Sequence, residues 1–238
     1  MADSQSPRST GYESGLERDF IKHLLFNQNV SKHEEQPLTI EFTDRAGIHR
    51  RYTPDLFVSY RKDLALTKNW RPLLVEVKYR SDLFTHWSEL KPKFRAARAF
   101  AAKRCWDFAI ITERELRTPY LKNITFLLEF GKYPADELVS EGLLDALTNN
   151  ASTTPSTLLD WIAADAMQKA NWLPILWRLI ATGRIAVDLE QRLTMNSRIW
   201  LKVPSERRKY NEPNARFRSG SSRRKRWQAL RYYPHSES

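Results

Sequence analysis

The segment Leu73-Leu74-Val75-Glu76-Val77-Lys78-Tyr79 constrains the fold more than any other stretch of the chain. Leu and Val occupy both faces of its two-residue repeat, the pattern of a strand buried on both sides within a sheet. Glu76 and Lys78 interrupt that pattern. Alternation puts these two charges on one face and Val77 on the other. Removing a charge from water costs several kcal/mol unless a partner compensates, so charges in such a strand call for a reason.

The flanking sequence supplies the rest of a layered structure. Ser14-Gly15-Leu16-Glu17 has the form of a helix-opening capping box, and Leu16, Phe20, Ile21, Leu24 and Leu25 recur at helical spacing as one apolar stripe. Residues 38–42 and 48–53 alternate as strands around the turn Asp44-Arg45-Ala46-Gly47, and a third strand follows Pro54 over residues 55–60. Residues 61–71 are polar and read as a loop. The Ala-rich, basic residues 89–104 predict a helix entered through Pro92, and the apolar run 106–112 predicts a strand returning to the same sheet. A helical crossover between neighbouring strands makes a parallel pair. Residues 119–130 predict a further helix. The expected fold class is α/β, a mixed sheet flanked by helices.

Composition divides the chain. Residues 1–13, rich in Ser, Pro and Gly, read as a flexible N-terminus, and 14–150 as one domain bounded by the polar stretch Thr148-Asn149-Asn150-Ala151-Ser152-Thr153-Thr154-Pro155. Residues 151–203 read as a small winged-helix-like domain. Its helices fall at 157–170 and 173–182, with a break at Asn171, and Gly183 ends the second. A hairpin of residues 184–189 and 198–203 follows, with residues 194–197 near its turn. Residues 204–238 form a basic tail.

Composition also excludes several chemistries. One cysteine, Cys105, rules out an intrachain disulfide framework and a zinc site built on several thiolates; at the end of a helix it is expected to pack. The histidines His23, His33, His49, His86 and His235 show no metal-ligand spacing and read as surface residues. With 7 glycines and no Gly-rich phosphate loop, nucleotide binding through such a turn is disfavoured. No apolar run approaches the roughly 18 residues of a membrane helix, and no N-terminal signal pattern is present, so a cytoplasmic protein is expected.

The chemistry-bearing residues are Asp55, after Pro54 at the start of one strand, and Glu76 and Lys78 on the next. If those strands are neighbours, the two carboxylates converge and suit a hard divalent cation, Mg²⁺ or Mn²⁺, leaving room for water and phosphate oxygens. Such a cation activates water and neutralises charge on a phosphodiester, while Lys78 orients or deprotonates the water or stabilises the phosphate. As isolated letters the same residues are a solvated ion pair and a turn aspartate; the apolar setting of Glu76 favours the site. Two roles are open to Glu17: a cap on the Ser14 backbone, or a further ligand reaching across the sheet edge. Glu89 and Lys93 read as an exposed helix pair one turn apart.

This set, Glu17 on an opening helix, Pro54-Asp55 and Glu76-Val77-Lys78, resembles the PD-(D/E)xK nuclease superfamily. The first domain is similar to TnsA, the endonuclease subunit of heteromeric cut-and-paste transposases. The likeness spans residues 14–130, through Gly15-Leu16-Glu17 with Phe20, Tyr52-Thr53-Pro54-Asp55-Leu56-Phe57-Val58, Leu74-Val75-Glu76-Val77-Lys78 and Phe108-Ala109-Ile110-Ile111-Thr112-Glu113. The resemblance implies a restriction-endonuclease-like fold and a Mg²⁺-dependent DNA endonuclease, with Mn²⁺ as a substitute. It implies Glu17, Asp55, Glu76 and the Val77 backbone carbonyl as metal ligands, and Lys78 as the catalytic lysine. Some TnsA proteins carry glutamine where this chain has Glu76; glutamate is the more general choice in the superfamily. The implied substrate is double-stranded DNA at transposon ends, cut on the 5′ side. The implied partners are a TnsB-like DDE transposase that cuts the 3′ ends and a TnsC-like AAA+ ATPase. A stand-alone restriction or repair nuclease, and a non-cleaving DNA- or ATPase-binding adaptor, are the alternatives.

The net charge of +11, from 39 Lys and Arg against 28 Asp and Glu, points to polyanionic partners. Residues 202–238 hold eleven of the basic residues and three acidic ones, so the preceding body is nearly neutral. Arg207, Arg208, Arg223, Arg224, Lys225, Arg226 and Arg231, with Trp227 and other aromatics interleaved, suit phosphate contact and stacking or docking in a partner groove. A solubilising tail is the simpler alternative. Deleting residues 204–238 is expected to weaken DNA or complex binding and flatten its salt dependence, measured by binding titrations over a salt series; unchanged binding removes this role.

Overall fold

Every residue of the Leu73–Val77 strand is buried, and the first half of the molecule is arranged around it. A computed structural model describes residues 10–44, 46–63 and 70–202. The chain divides into two compact units at Arg117/Thr118.

In the first unit, α1 (Thr10–Phe26) precedes β1 (Val30–Glu35), the hairpin β2 (Ile40–Thr43) and β3 (His49–Tyr52), β4 (Leu56–Tyr60) and β5 (Leu73–Val77). The short α2 (Arg80–Thr85), α3 (Trp87–Lys103), β6 (Asp107–Ile111) and the one-turn α4 (Glu113–Leu116) complete it. The main sheet has strand order β1-β4-β5-β6, antiparallel except for the parallel pair β5/β6 made by the α3 crossover. β5 is therefore hydrogen-bonded on both edges, as its apolar run demands. The hairpin pairs only with itself, from Ile40↔Tyr52 to Thr43↔His49. Together with α3 it covers the Leu74 face, where Ile40, Tyr52, Leu74 and Ala97 form one buried cluster with Phe57, Phe100 and Phe108 around it. α1 also packs against β5 and buries Leu16, Phe20 and Leu24.

Several expectations are corrected. α1 begins at Thr10, a turn before Ser14, so the Ser14–Glu17 pattern lies inside the helix and does not open it. Val30–Glu35 is a strand that no apolar alternation announces: it is an edge, and charged residues such as Lys32, Glu34 and Glu35 blunt an edge against unwanted pairing. Pro92 falls within α3 rather than at its start, and Glu89 and Lys93 make no ion pair among the described residues. His23 is buried, with Nε2 3.3 Å from the Leu116 carbonyl, because α1 packs on α4; His235 lies outside the described residues. Cys105 is exposed rather than packed, with φ of 56°. It follows the C-cap of α3, where the Cys105 and Trp106 amides donate to the carbonyls of Ala102 and Ala101. That bond pattern requires a left-handed residue and turns its side chain outward.

The second unit runs α5 (Pro119–Gly131), α6 (Glu137–Thr148), α7 (Pro155–Ile162), α8 (Ala166–Ala181), then β7 (Ile185–Val187) paired antiparallel with β8 (Ile199–Leu201). Its second half runs helix, helix, hairpin, with the helices over 155–162 and 166–181 rather than 157–170 and 173–182. α5 and α6 belong with it, and residues 149–154 connect two of its helices. α8 runs unbroken through Asn171 and Pro174. An interior proline costs about 3 kcal/mol, but Ile175, Leu176, Trp177, Leu179 and Ile180 are all buried just beyond it and offset that cost. Gly183, at φ 72°, ends α8 as its composition predicts, with the Gly183 and Arg184 amides donating to Ile180 and Leu179. Among the described residues no helix is long and apolar enough to cross a membrane.

One buried asparagine ties this unit together. Asn123 on α5 donates through Nδ2 to the carbonyls of Leu189 (2.7 Å) and Gln191 (2.6 Å), and its Oδ1 accepts from the Leu193 amide (3.0 Å). All its side-chain groups serve the segment between β7 and β8. Asn123→Ala strands two carbonyls and one amide. It is expected to cost about 2–3 kcal/mol in urea unfolding, and Asn123→Asp, which sets a carboxylate against both carbonyls, at least as much.

Candidate active site

Two strand ends build the site. β4 and β5 pair with Leu56 opposite Val75, so the next step of the register brings Asp55 level with Glu76. Asp55 is held from two directions: its backbone carbonyl accepts from the Gln36 amide at 2.8 Å, and its Oδ2 from the Val77 amide at 2.7 Å. The second bond links the carboxylate directly to the strand that carries Glu76 and Lys78. Lys78 is the first residue beyond β5; its amide donates to the Ile111 carbonyl at 2.9 Å, extending the parallel ladder by one step. Its half-buried side chain shares the face of Glu76 by alternation.

Glu76 is only 4% exposed. A carboxylate at that depth needs a partner, and Tyr52, the last residue of β3, donates its hydroxyl to Oε2 at 2.5 Å. The Tyr52 ring is itself buried and meets Phe94 of α3 edge-on at 6.5 Å. Burial first, then the charge of Glu76 and the bond to it, then the charge of Asp55, hold the Tyr52 proton far more firmly than an ordinary phenol does. Both carboxylates therefore act on one hydroxyl. Tyr52 stays a neutral donor above the pH at which an ordinary phenol ionises.

The structure thus brings Asp55 and Glu76 together with Lys78 at one sheet end. Glu17 is half-buried on α1, a helix that packs against β5; with the helix already running from Thr10, the capping role falls away. Among the described residues, no group of three or more His, Cys, Asp and Glu side chains is arranged to hold a metal ion, so the carboxylate site is the pair. The tail residues Arg207, Arg208, Arg223, Arg224, Lys225, Arg226, Trp227 and Arg231 lie outside the described residues.

Sequence reasoning gives Tyr52 no role, although it stands in the Tyr52-Thr53-Pro54-Asp55 run; its signal would have been a hydroxyl on the inward face of an otherwise exposed strand. A second group also escapes it. Arg117 donates to Asp19 of α1 (3.2 Å) and to the Tyr79 hydroxyl (2.8 Å), and the Arg80 amide donates to Glu113 (3.0 Å). These bonds join α1, the end of β5 and the end of β6 beside Lys78. They tie α1 and the end of β6 to the end of β5, which carries Glu76 and Lys78.

Tyr52 yields a prediction with a definite sign. The unfolded chain releases this proton near pH 10, whereas the folded protein retains it, so its contribution to stability is complete below that pH and is lost as pH rises above it. Tyr52→Phe is expected to cost about 2 kcal/mol at neutral pH through the lost bond to a buried carboxylate. It should also make the decline above about pH 10 shallower by roughly 1.4 kcal/mol per pH unit. Denaturant unfolding measured across that range checks both.

Comparison with known families follows the same division. Residues 27–113 match the TnsA-like endonuclease N-terminal model, and residues 115–189 the TnsA endonuclease C-terminal model. The break between the two falls beside the Arg117/Thr118 boundary of the structural units. A comparison with the curated proteins returned no match. The first match covers β1 through β6, including Asp55, Glu76 and Lys78, and its mixed sheet between helices fits a restriction-endonuclease-like fold. With the two matches together spanning well over half of its 238 residues, the chain belongs to the TnsA endonuclease family.

Proposed function

We propose that the chain is a divalent-metal-dependent DNA endonuclease that cuts the 5′ ends of a transposon during cut-and-paste transposition, together with a TnsB-like DDE transposase and a TnsC-like AAA+ ATPase. The observation that carries the cleavage reading is the meeting of Asp55 and Glu76 on adjacent strands, with Lys78 two residues on. The family matches support the transposon setting.

The donor set fits a hard cation such as Mg²⁺ or Mn²⁺: two carboxylates converging at one sheet end, one of them deeply buried. Asp55, Glu76 and the Val77 carbonyl would hold it. When bound, such an ion supplies a Lewis acid beside the phosphodiester. The protein's own contribution is positional. Tyr52 fixes the Glu76 carboxylate in one orientation through a neutral hydrogen bond. The Val77 amide does the same for Asp55. Lys78, on the face of Glu76, puts a cation where charge develops on the phosphate, or takes the proton of the attacking water.

The test incubates the purified protein with transposon-end DNA and Mg²⁺, with and without the candidate transposase and ATPase. Cleavage at the 5′ ends that requires the partners supports the proposal, and Asp55→Ala, Glu76→Ala and Lys78→Ala should each reduce it at least about 100-fold. Cleavage by the protein alone points to a stand-alone nuclease. Cleavage untouched by Asp55→Ala overturns the site, and absence of cleavage in every combination points to a non-cleaving adaptor.

A further inference from the structure

α3 carries two different faces. Phe94, Ala97 and Ala101 are buried against the sheet and hairpin. On another flank Trp87, Lys91, Arg95 and Arg98 follow at helical spacings of four, four and three, and all four are exposed. Among the described residues none of these three cations takes part in an ion pair. From Arg80 to Arg104 there are seven basic residues and two acidic ones, Asp82 and Glu89. An unneutralised row of this kind repels itself and adds nothing to the fold, so its use lies outside the first unit.

A relay of packed rings connects the start of the row to the site. The Trp87 ring lies 6.1 Å from Phe94, Phe94 lies 6.5 Å from Tyr52, and Tyr52 donates to Glu76. From Lys91 to Arg98 the helix advances about 10 Å, over which duplex DNA presents about six phosphate charges. Three cations on one straight edge are well within that density. At the far end of the helix the exposed Arg104 guanidinium stacks 3.6 Å from the Phe100 ring centroid.

We propose that the Lys91, Arg95 and Arg98 edge of α3 is a phosphate-contact surface that holds the duplex flanking the cut, leading it away from the Asp55/Glu76 end. This assignment rests on the reading of the chain as a DNA endonuclease and names where the body of the protein, apart from its tail, grips the substrate. The contacts are sequence-independent, so the helix sets the path of the duplex and leaves recognition of the transposon end to other elements.

The full-length protein is titrated, in EDTA, against a fluorescein-labelled duplex of arbitrary sequence, by anisotropy between about 50 and about 200 mM salt. Combining Lys91→Ala, Arg95→Ala and Arg98→Ala should reduce the slope of log affinity against log salt by about 2–3, close to 0.9 for each phosphate that is no longer neutralised. Lys32→Ala, Lys62→Ala and Arg71→Ala, which remove the same charge from elsewhere on the first unit, should leave the slope in place. An unchanged slope in the α3 variant overturns the assignment, and so does an equal drop from the control triple. If the α3 variant binds DNA normally but no longer associates with the transposase or ATPase, the row serves a protein partner and the proposal also fails. If the unmodified protein binds the duplex and the α3 variant lowers the slope, yet the unmodified protein cleaves transposon-end DNA in no combination of metal and partners, the endonuclease reading fails while the phosphate-contact surface stands, so the two failures are distinguishable.

Discussion

A buried carboxylate in the middle strand of a sheet is the constraint on which the first unit depends. Glu76 sits where its neighbours Leu74, Val75 and Val77 are fully enclosed, and it is accommodated because Tyr52 delivers a hydroxyl to it from a different sheet. That donor exists only if the hairpin folds over the Leu74 face and α3 packs behind it, since the Tyr52 ring is held by Phe94. Asp55 adds the complementary tie, committing its carboxylate to the Val77 amide. Packing and polar satisfaction are consequently the same problem here, and a hairpin that slipped by one residue would leave the carboxylate without its partner.

The arrangement also explains why the site is stiff without being built from many residues. β5 is locked by antiparallel pairing on one side and parallel pairing on the other, and the ladder continues through the Lys78 amide. Arg117, reaching both Asp19 and Tyr79, adds a brace from the last residue of the unit back to α1. Groups that must meet a substrate gain most when their supports are regular secondary structure rather than loops. The proposed phosphate row follows the same logic, since one helix both buries Phe94 behind the site and presents cations along its other flank.

What could be read in the sequence, and what could not, divides by physical cause. β5 was legible because burial on two faces demands a long apolar run, β6 because it is the compact apolar run that follows the Ala-rich crossover helix, and Asp55, Glu76 and Lys78 stood out because charge beside such a strand is costly. β1 was illegible because an edge strand is written in charged residues that look like loop. The continuity of α8 through Pro174 was hidden because five buried side chains outweigh a local penalty, a balance visible only in the tertiary packing. Tyr52 and His23 have partners far away in sequence, Glu76 and the Leu116 carbonyl, and no local pattern encodes such meetings. The division at Arg117/Thr118 carries no glycine or proline-rich linker, whereas the polar residues 148–155 that mimic one join two helices of the same unit.

Helices α3 and α8 end in the same hydrogen-bonded turn, one on Gly183 and the other on Cys105. A side chain in left-handed backbone costs on the order of 1 kcal/mol, and at Cys105 that side chain is exposed, so it contributes little packing in return. The chain's one thiol is therefore structurally dispensable and reachable from solvent, set at the end of the helix that carries the cationic row. It offers a native, single-position attachment point for a dye or spin label, from which the distance to a labelled DNA end can be followed without introducing any other cysteine.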